Sequence, residues 1–151
     1  MNVPRPEAWF WSTKVNDQLR AWERVHLDEE WRLTLAFDAS LPGWLVLVPQ
    51  RHLRGLQQLT EHEAEGLGRL LRSVSAALAD VTGCERTYVM LFAEAEGFSH
   101  LHFHIVPRHR NLPPEHRGPA VYALLGVPQA EQVSEVDRDV LAAQLHAALH
   151  Q

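Results

Sequence analysis

Bulky apolar residues alternate with polar or small ones from Trp31 to Phe37 (WRLTLAF), and Trp44 to Val48 (WLVLV) is a short apolar run. Pro42-Gly43 lies between them. A period of two places alternate side chains on one face, and Pro-Gly supplies turn dihedrals, so two adjacent strands are predicted. The period changes after Thr60, where Leu67, Leu70, Leu71, Val74 and Leu78 recur at helical spacing. Thr60 and Glu63 make a capping box in front of this helix, and Gly83 is placed to end it. Arg86 to Phe92 (RTYVMLF) and Leu101 to Val106 (LHFHIV) are rich in β-favouring residues and are bounded by Gly97 and Pro107. They predict two more strands. Beyond Arg108 the proline-rich tract RNLPPEHRGP predicts irregular chain, before Ser134 caps a last helix running to about Leu149. Helix and strand occupy separate stretches, which predicts an α+β fold with a mainly antiparallel sheet.

Composition narrows the picture. A chain of 151 residues, 46% hydrophobic, is long enough for one core and short for two, so a single domain is expected over 1–151. Within it, 1–30 reads as a tryptophan-rich arm carrying Trp9, Trp11 and Trp22, 31–108 as the core, and 109–151 as a C-terminal loop and helix. That aromatic density predicts that the arm docks on a surface. A net charge of -5 provides no broad positive field, so a polynucleotide partner is not expected. Cys84 is the only cysteine, which excludes an intramolecular disulfide and a site of several thiolates, and it suits a reducing, cytoplasmic setting. The first residues lack the charged start and apolar run of a secretory leader, and apolar stretches such as Leu45 to Val48 fall far short of the roughly 20 residues of a membrane span.

The chemistry concentrates in His100-Leu101-His102-Phe103-His104-Ile105-Val106-Pro107-Arg108, where histidine alternates strictly with an apolar residue. On a strand the three imidazoles share one face, while Leu101, Phe103 and Ile105 point to the other. An idle strand gains little from the arrangement, because three parallel imidazoles repel when protonated and are hard to satisfy when neutral. One functional reading is a metal site, since alternate histidines on a strand can present neutral nitrogens to zinc; no HExxH or CxxC pattern supplies the remaining ligands. The other is covalent catalysis on phosphorus. A neutral imidazole attacks, its second nitrogen is held by a hydrogen bond, and flanking donors, with backbone N–H groups of the turn Gly97-Phe98-Ser99, hold the phosphate oxygens.

The segment HLHFHIVPR resembles the His-x-His-x-His-x-x signature of the histidine-triad (HIT) family, with its common Pro-Arg ending. Upstream, FDASLPGWLVLVPQRHLRGLQQLTEHE is similar to the family's order of strand, Pro-Gly turn, strand ending in Val-Pro, basic-His pair and helix opened by Thr and Glu. The likeness spans about residues 31 to 108. It implies a homodimer whose sheets join into one, each subunit pairing a main helix with about five antiparallel strands. It also implies that His102 attacks an α-phosphorus to form a nucleotidyl-histidine that water resolves, with His100 and His104 flanking it and no metal or other cofactor required. The implied substrate is a purine nucleotide conjugate or a dinucleoside polyphosphate; the implied binding residues are Asp38, near where the family holds the ribose hydroxyls, together with Trp44, Gly97, Phe98 and Ser99. Two features depart from the family pattern. Trp44 stands where many members have a fourth histidine, and Ala93-Glu94-Ala95-Glu96 replaces the usual neutral donors before the triad. A nucleotide-binding protein with weakened chemistry therefore stays open beside the enzyme, as does a histidine-ligated metalloenzyme.

Overall fold

The computed structural model describes residues 19–94 and 99–151. Strands β1 (His26–Leu27), β2 (Trp31–Leu35), β3 (Leu45–Pro49), β4 (Arg86–Met90) and β5 (Phe103–Arg108) form one sheet in the order β1-β2-β3-β5-β4. Every neighbouring pair is antiparallel. Helix α1 (Glu61–Thr82) precedes β4, and helix α2 (Glu135–Leu149) closes the chain. This is the α+β architecture the patterns predict, with short 3-10 turns in the connections.

Both helices start where a side chain meets their orphan N–H groups. Thr60 Oγ1 accepts from the Glu63 amide at 3.0 Å, and Glu63 returns a carboxylate oxygen to the Thr60 amide at 2.8 Å. Ser134 accepts from the Asp137 amide at 3.1 Å. Gly83 ends α1 at φ +70°, a left-handed position that glycine takes without penalty.

The sheet is covered on both faces. Leu33, Leu35, Leu45, Leu47, Phe103 and Ile105 pack with Val74, Ala77 and Leu78 of α1 and with Ala142 and Leu145 of α2. On the other face Val46, Val48 and Val106 pack with Leu112, Val121 and Tyr122 from the chain that follows β5. Double coverage is why 44–48 reads as a continuous apolar run: each residue there is buried whichever way it points.

Several boundaries differ from the sequence pattern. β5 starts at Phe103 because the chain before it bonds elsewhere, Leu101 N donating to the Leu53 carbonyl at 2.6 Å. It runs on through Pro107 to Arg108, past Ile105 where the pairing with β3 stops, and a strand paired on one side tolerates proline. The tract expected to be irregular folds into 3-10 turns at Pro114–His116, Gly118–Leu124 and Gln129–Glu131. Residues 19–30 are built into the core: Trp22 and Val25 are buried, β1 extends the sheet, and the Arg138 guanidinium of α2 lies 4.5 Å above the Trp22 ring. Trp9 and Trp11 lie outside the described residues. No helix among the described residues is long and apolar enough to cross a membrane.

Candidate functional site

β5 carries His104, while His100 and His102 stand in the chain just before it, and the alternation of apolar residues runs through both stretches. Leu101, Phe103 and Ile105 enter the core beneath the helices. His104 sits between Val46 of β3 and Met90 of β4, two residues of the opposite cluster. The histidine face is not open like an ordinary half-solvated sheet face. Tyr122 packs over His104, and His100, His102 and His104 are only 1%, 6% and 8% exposed.

Hydrogen bonds assign the protons on two of these rings. His102 Nδ1 lies 2.7 Å from the His100 carbonyl oxygen. A carbonyl only accepts, so Nδ1 carries the hydrogen and Nε2 of neutral His102 holds a lone pair. His104 is fixed the opposite way. The Trp44 indole N–H donates to its Nδ1 at 3.0 Å, so neutral His104 carries its proton on Nε2. The two imidazoles meet edge to face with centroids 5.0 Å apart. One ring thus offers a nucleophilic nitrogen and its neighbour an N–H donor.

Burial keeps all three rings neutral. It is the main cause for each: His100 is lowered to about 4, with the nearby His52 ring adding to the effect, and His104 to about 3, with His102 adding. His102 is lowered too, although its bond to the His100 carbonyl works in the opposite direction. A neutral imidazole with its far nitrogen held by a carbonyl is the form competent to attack phosphorus.

The other residues named from the sequence fall into different places. Trp44 is 1% exposed, and its polar atom is spent on His104, so its link to the site runs through that ring. Asp38 is half-buried; burial raises its carboxyl above the ordinary range, and its carbonyl accepts from Val127 N at 3.1 Å. It stands against the segment around Gly126. Ser99 is half-buried next to His100. Gly97 and Phe98 lie outside the described residues, as does Glu96. Arg51 is structural, gripping Glu63 through two hydrogen bonds of 3.0 and 2.7 Å and holding that carboxyl down at about 2.

Two aromatic residues join the site without any signal in the spacing of the motif. Tyr122 packs edge-on against His104 with centroids 5.3 Å apart, and Phe92, 65% exposed just beyond β4, packs against Tyr122 at 5.6 Å. Tyr122 arrives through a fold-back of the chain after β5, a tertiary event that local patterns do not encode. Among the described residues no three His, Cys, Asp or Glu side chains converge to hold a metal ion.

Comparison with known proteins adds to this geometry. The model of a family described as HIT domain matches residues 23–111. Among solved structures, a histidine triad protein from Bradyrhizobium japonicum is similar with TM-score 0.71 and 20% identity, over 92% of this chain and 98% of that one. Another from Sinorhizobium meliloti has TM-score 0.68 and 24% identity, over 92% and 96% of the two chains. A third, from Marinobacter aquaeolei, has TM-score 0.70 and 20% identity, over 89% and 94%. No curated protein sequence matches the chain.

Proposed function

We propose that this chain, which belongs to the HIT domain family, hydrolyses a phosphoanhydride or phosphoramidate at the α-phosphate of a purine nucleotide conjugate or dinucleoside polyphosphate, with His102 as nucleophile. Members of the family bind nucleotides and include hydrolases and transferases. The observation that carries the reading is the His102–His100 hydrogen bond of 2.7 Å, which leaves Nε2 as the basic nitrogen of a neutral imidazole.

In the first step Nε2 forms a bond to the α-phosphorus while the bond from phosphorus to the leaving oxygen or nitrogen breaks, the leaving atom keeping the bonding electrons and, where it is nitrogen, taking a proton from solvent. The positive charge that develops on the His102 ring is spread towards Nδ1–H, where the His100 carbonyl accepts it. His104, with its proton on Nε2, offers an uncharged donor to a phosphate oxygen, and His100 flanks the other side. Water then attacks the phosphorus of the nucleotidyl-histidine and gives up a proton to solvent; the P–N bond breaks, its electrons return to Nε2, and a nucleoside monophosphate leaves. Asp38 is assigned to the ribose hydroxyls, for which a carboxylate is a double acceptor. The backbone at Gly97-Phe98-Ser99 is assigned to phosphate oxygens. The working unit is a homodimer.

The test is hydrolysis of adenosine phosphoramidate and a series of diadenosine polyphosphates by the unaltered protein and by His102→Asn. Loss of turnover by about a thousandfold or more is expected, with the fold retained. Rapid-quench mass spectrometry should find a nucleotidyl adduct on a histidine in the unaltered protein and none in the variant. Equal rates in the two proteins would remove His102 from the nucleophile's role. Binding of AMP by calorimetry with no turnover of any nucleotide would favour a binding protein. Stoichiometric zinc, with activity lost to a chelator and restored by metal, would favour a metalloenzyme.

A further inference from the structure

We propose that Trp44 is a positioning residue for the triad: its indole N–H locks the His104 ring into the tautomer that carries its proton on Nε2. The inference rests on the reaction proposed above for what that proton does, but the lock itself is a feature of the resting protein.

The geometry behind it is local. Val46 is directly opposite His104 across β3 and β5, so Trp44, two residues earlier, is its diagonal neighbour on the same face. Diagonal pairs are within reach of a long aromatic side chain. The indole meets the imidazole edge-on, centroids 5.6 Å apart and planes at 84°, with Nε1 3.0 Å from Nδ1. A buried tryptophan needs an acceptor for its N–H, and here the acceptor is a catalytic-site nitrogen instead of a main-chain carbonyl.

The direction of the bond cannot reverse. Indole nitrogen donates and never accepts, whereas a histidine at the same place can do either. While Trp44 holds its position, Nδ1 of His104 must present a lone pair, and the proton of the neutral ring belongs on Nε2. Protonating His104 would put N–H groups on both nitrogens and set one against the indole N–H, so Trp44 also opposes the imidazolium. Burial acts the same way on this ring. The other titratable groups packed against it are His102, two residues earlier in the chain, and Tyr122; the cross-strand partners Val46 and Met90 do not titrate. The consequence is a triad whose third member is a permanently neutral, pre-aimed donor, and Trp44 does with a donor-only ring what a second histidine does only in one of its tautomers.

The lock can be read without any nucleotide. In protein labelled with nitrogen-15 at histidine, His104 should show a protonated Nε2 and a bare Nδ1 at neutral pH. The opposite tautomer, or a mixture, overturns the inference outright. Trp44→Phe keeps an aromatic ring but removes the donor, and Trp44→His restores one. In Trp44→Phe the His104 tautomers should mix and its protonation midpoint should rise by about one pH unit or more, because the opposing N–H is gone. Turnover should fall about tenfold or more, as for other groups that orient an active histidine, with KM changed far less. Trp44→His should recover part of both. If the phenylalanine variant is folded and keeps the single Nε2–H tautomer, Trp44 is only a packing residue. If the unaltered protein turns over no nucleotide while its His104 tautomer is as described, the lock stands and the proposed reaction fails.

Discussion

Glu63 shows how much one side chain can hold in this fold. Its carboxylate takes two hydrogen bonds from Arg51 and one from the Thr60 amide, and its carbonyl accepts from the Trp31 indole at 3.1 Å. One residue therefore ties the chain just after β3 to the first turn of α1 and to β2. Because the carboxyl is held at about 2 against an ordinary 4.5, it stabilises the fold above pH 4.5 and that contribution is lost as pH falls towards 2. Glu63→Gln should cost about 1–2 kcal/mol in urea unfolding at neutral pH, the scale of a capping-box and buried hydrogen-bond loss. The gap between variant and parent should narrow as the solution approaches pH 2. A gap that is constant with pH would mean that the charge contributes nothing. The Arg51-His52 pair divides along similar lines: Arg51 serves this structural network, while His52 lies against His100 with centroids 5.2 Å apart.

Among the elements, β4 ends the sheet beside β5, with no further strand on its outer edge among the described residues. The sheet ends there, and beside that edge Val89 and Phe92 are 45% and 65% exposed. An open edge with exposed apolar side chains invites another strand. Pairing of β4 with β4 of a second copy would join two sheets into one, the arrangement the HIT resemblance implies. Val89→Lys places like charges on both copies of the joined edge, and light scattering after size exclusion should show a shift from dimer towards monomer. An unaltered protein that is monomeric at high micromolar concentration would rule out this arrangement. The other end of the sheet is a poorer candidate, since β1 is only two residues long.

For the whole molecule, the chain after β5 decides the character of the site. Folding Val121 and Tyr122 over the second face of the sheet packs Tyr122 against His104, and burial lowers the basicity of all three imidazoles. Their folded values, about 4 for His100 and about 3 for His104, lie below the ordinary 6.5, so unfolding takes up protons when the solution turns acid. The stability they allow is complete above pH 6.5 and is lost progressively as pH falls from there towards 4 and then 3. The thermal midpoint should drop between about pH 7 and pH 4, and His104→Gln should flatten the lower part of that drop. A midpoint indifferent to pH over this range would show that the rings are solvated.

Much of this was readable in the linear chain because it depends on near neighbours. A period of two in Leu101, Phe103 and Ile105 directs those side chains to one face wherever the strand sits, and the Thr60–Glu63 box and Gly83 mark the ends of α1 by bonds within a turn. The α+β class and the row of histidines follow from the same local rules. What they meet does not. The packing of Tyr122 on His104, the entry of Trp22 and β1 into the core, and the bond between Trp44 and His104 depend on pairs from 5 to 60 apart in sequence. Contacts of that kind are settled by how the elements pack, since any of several partners would satisfy the local pattern equally well. The proton positions that make His102 basic and His104 a donor belong to that second category: the residue types permit them, and the packing selects them.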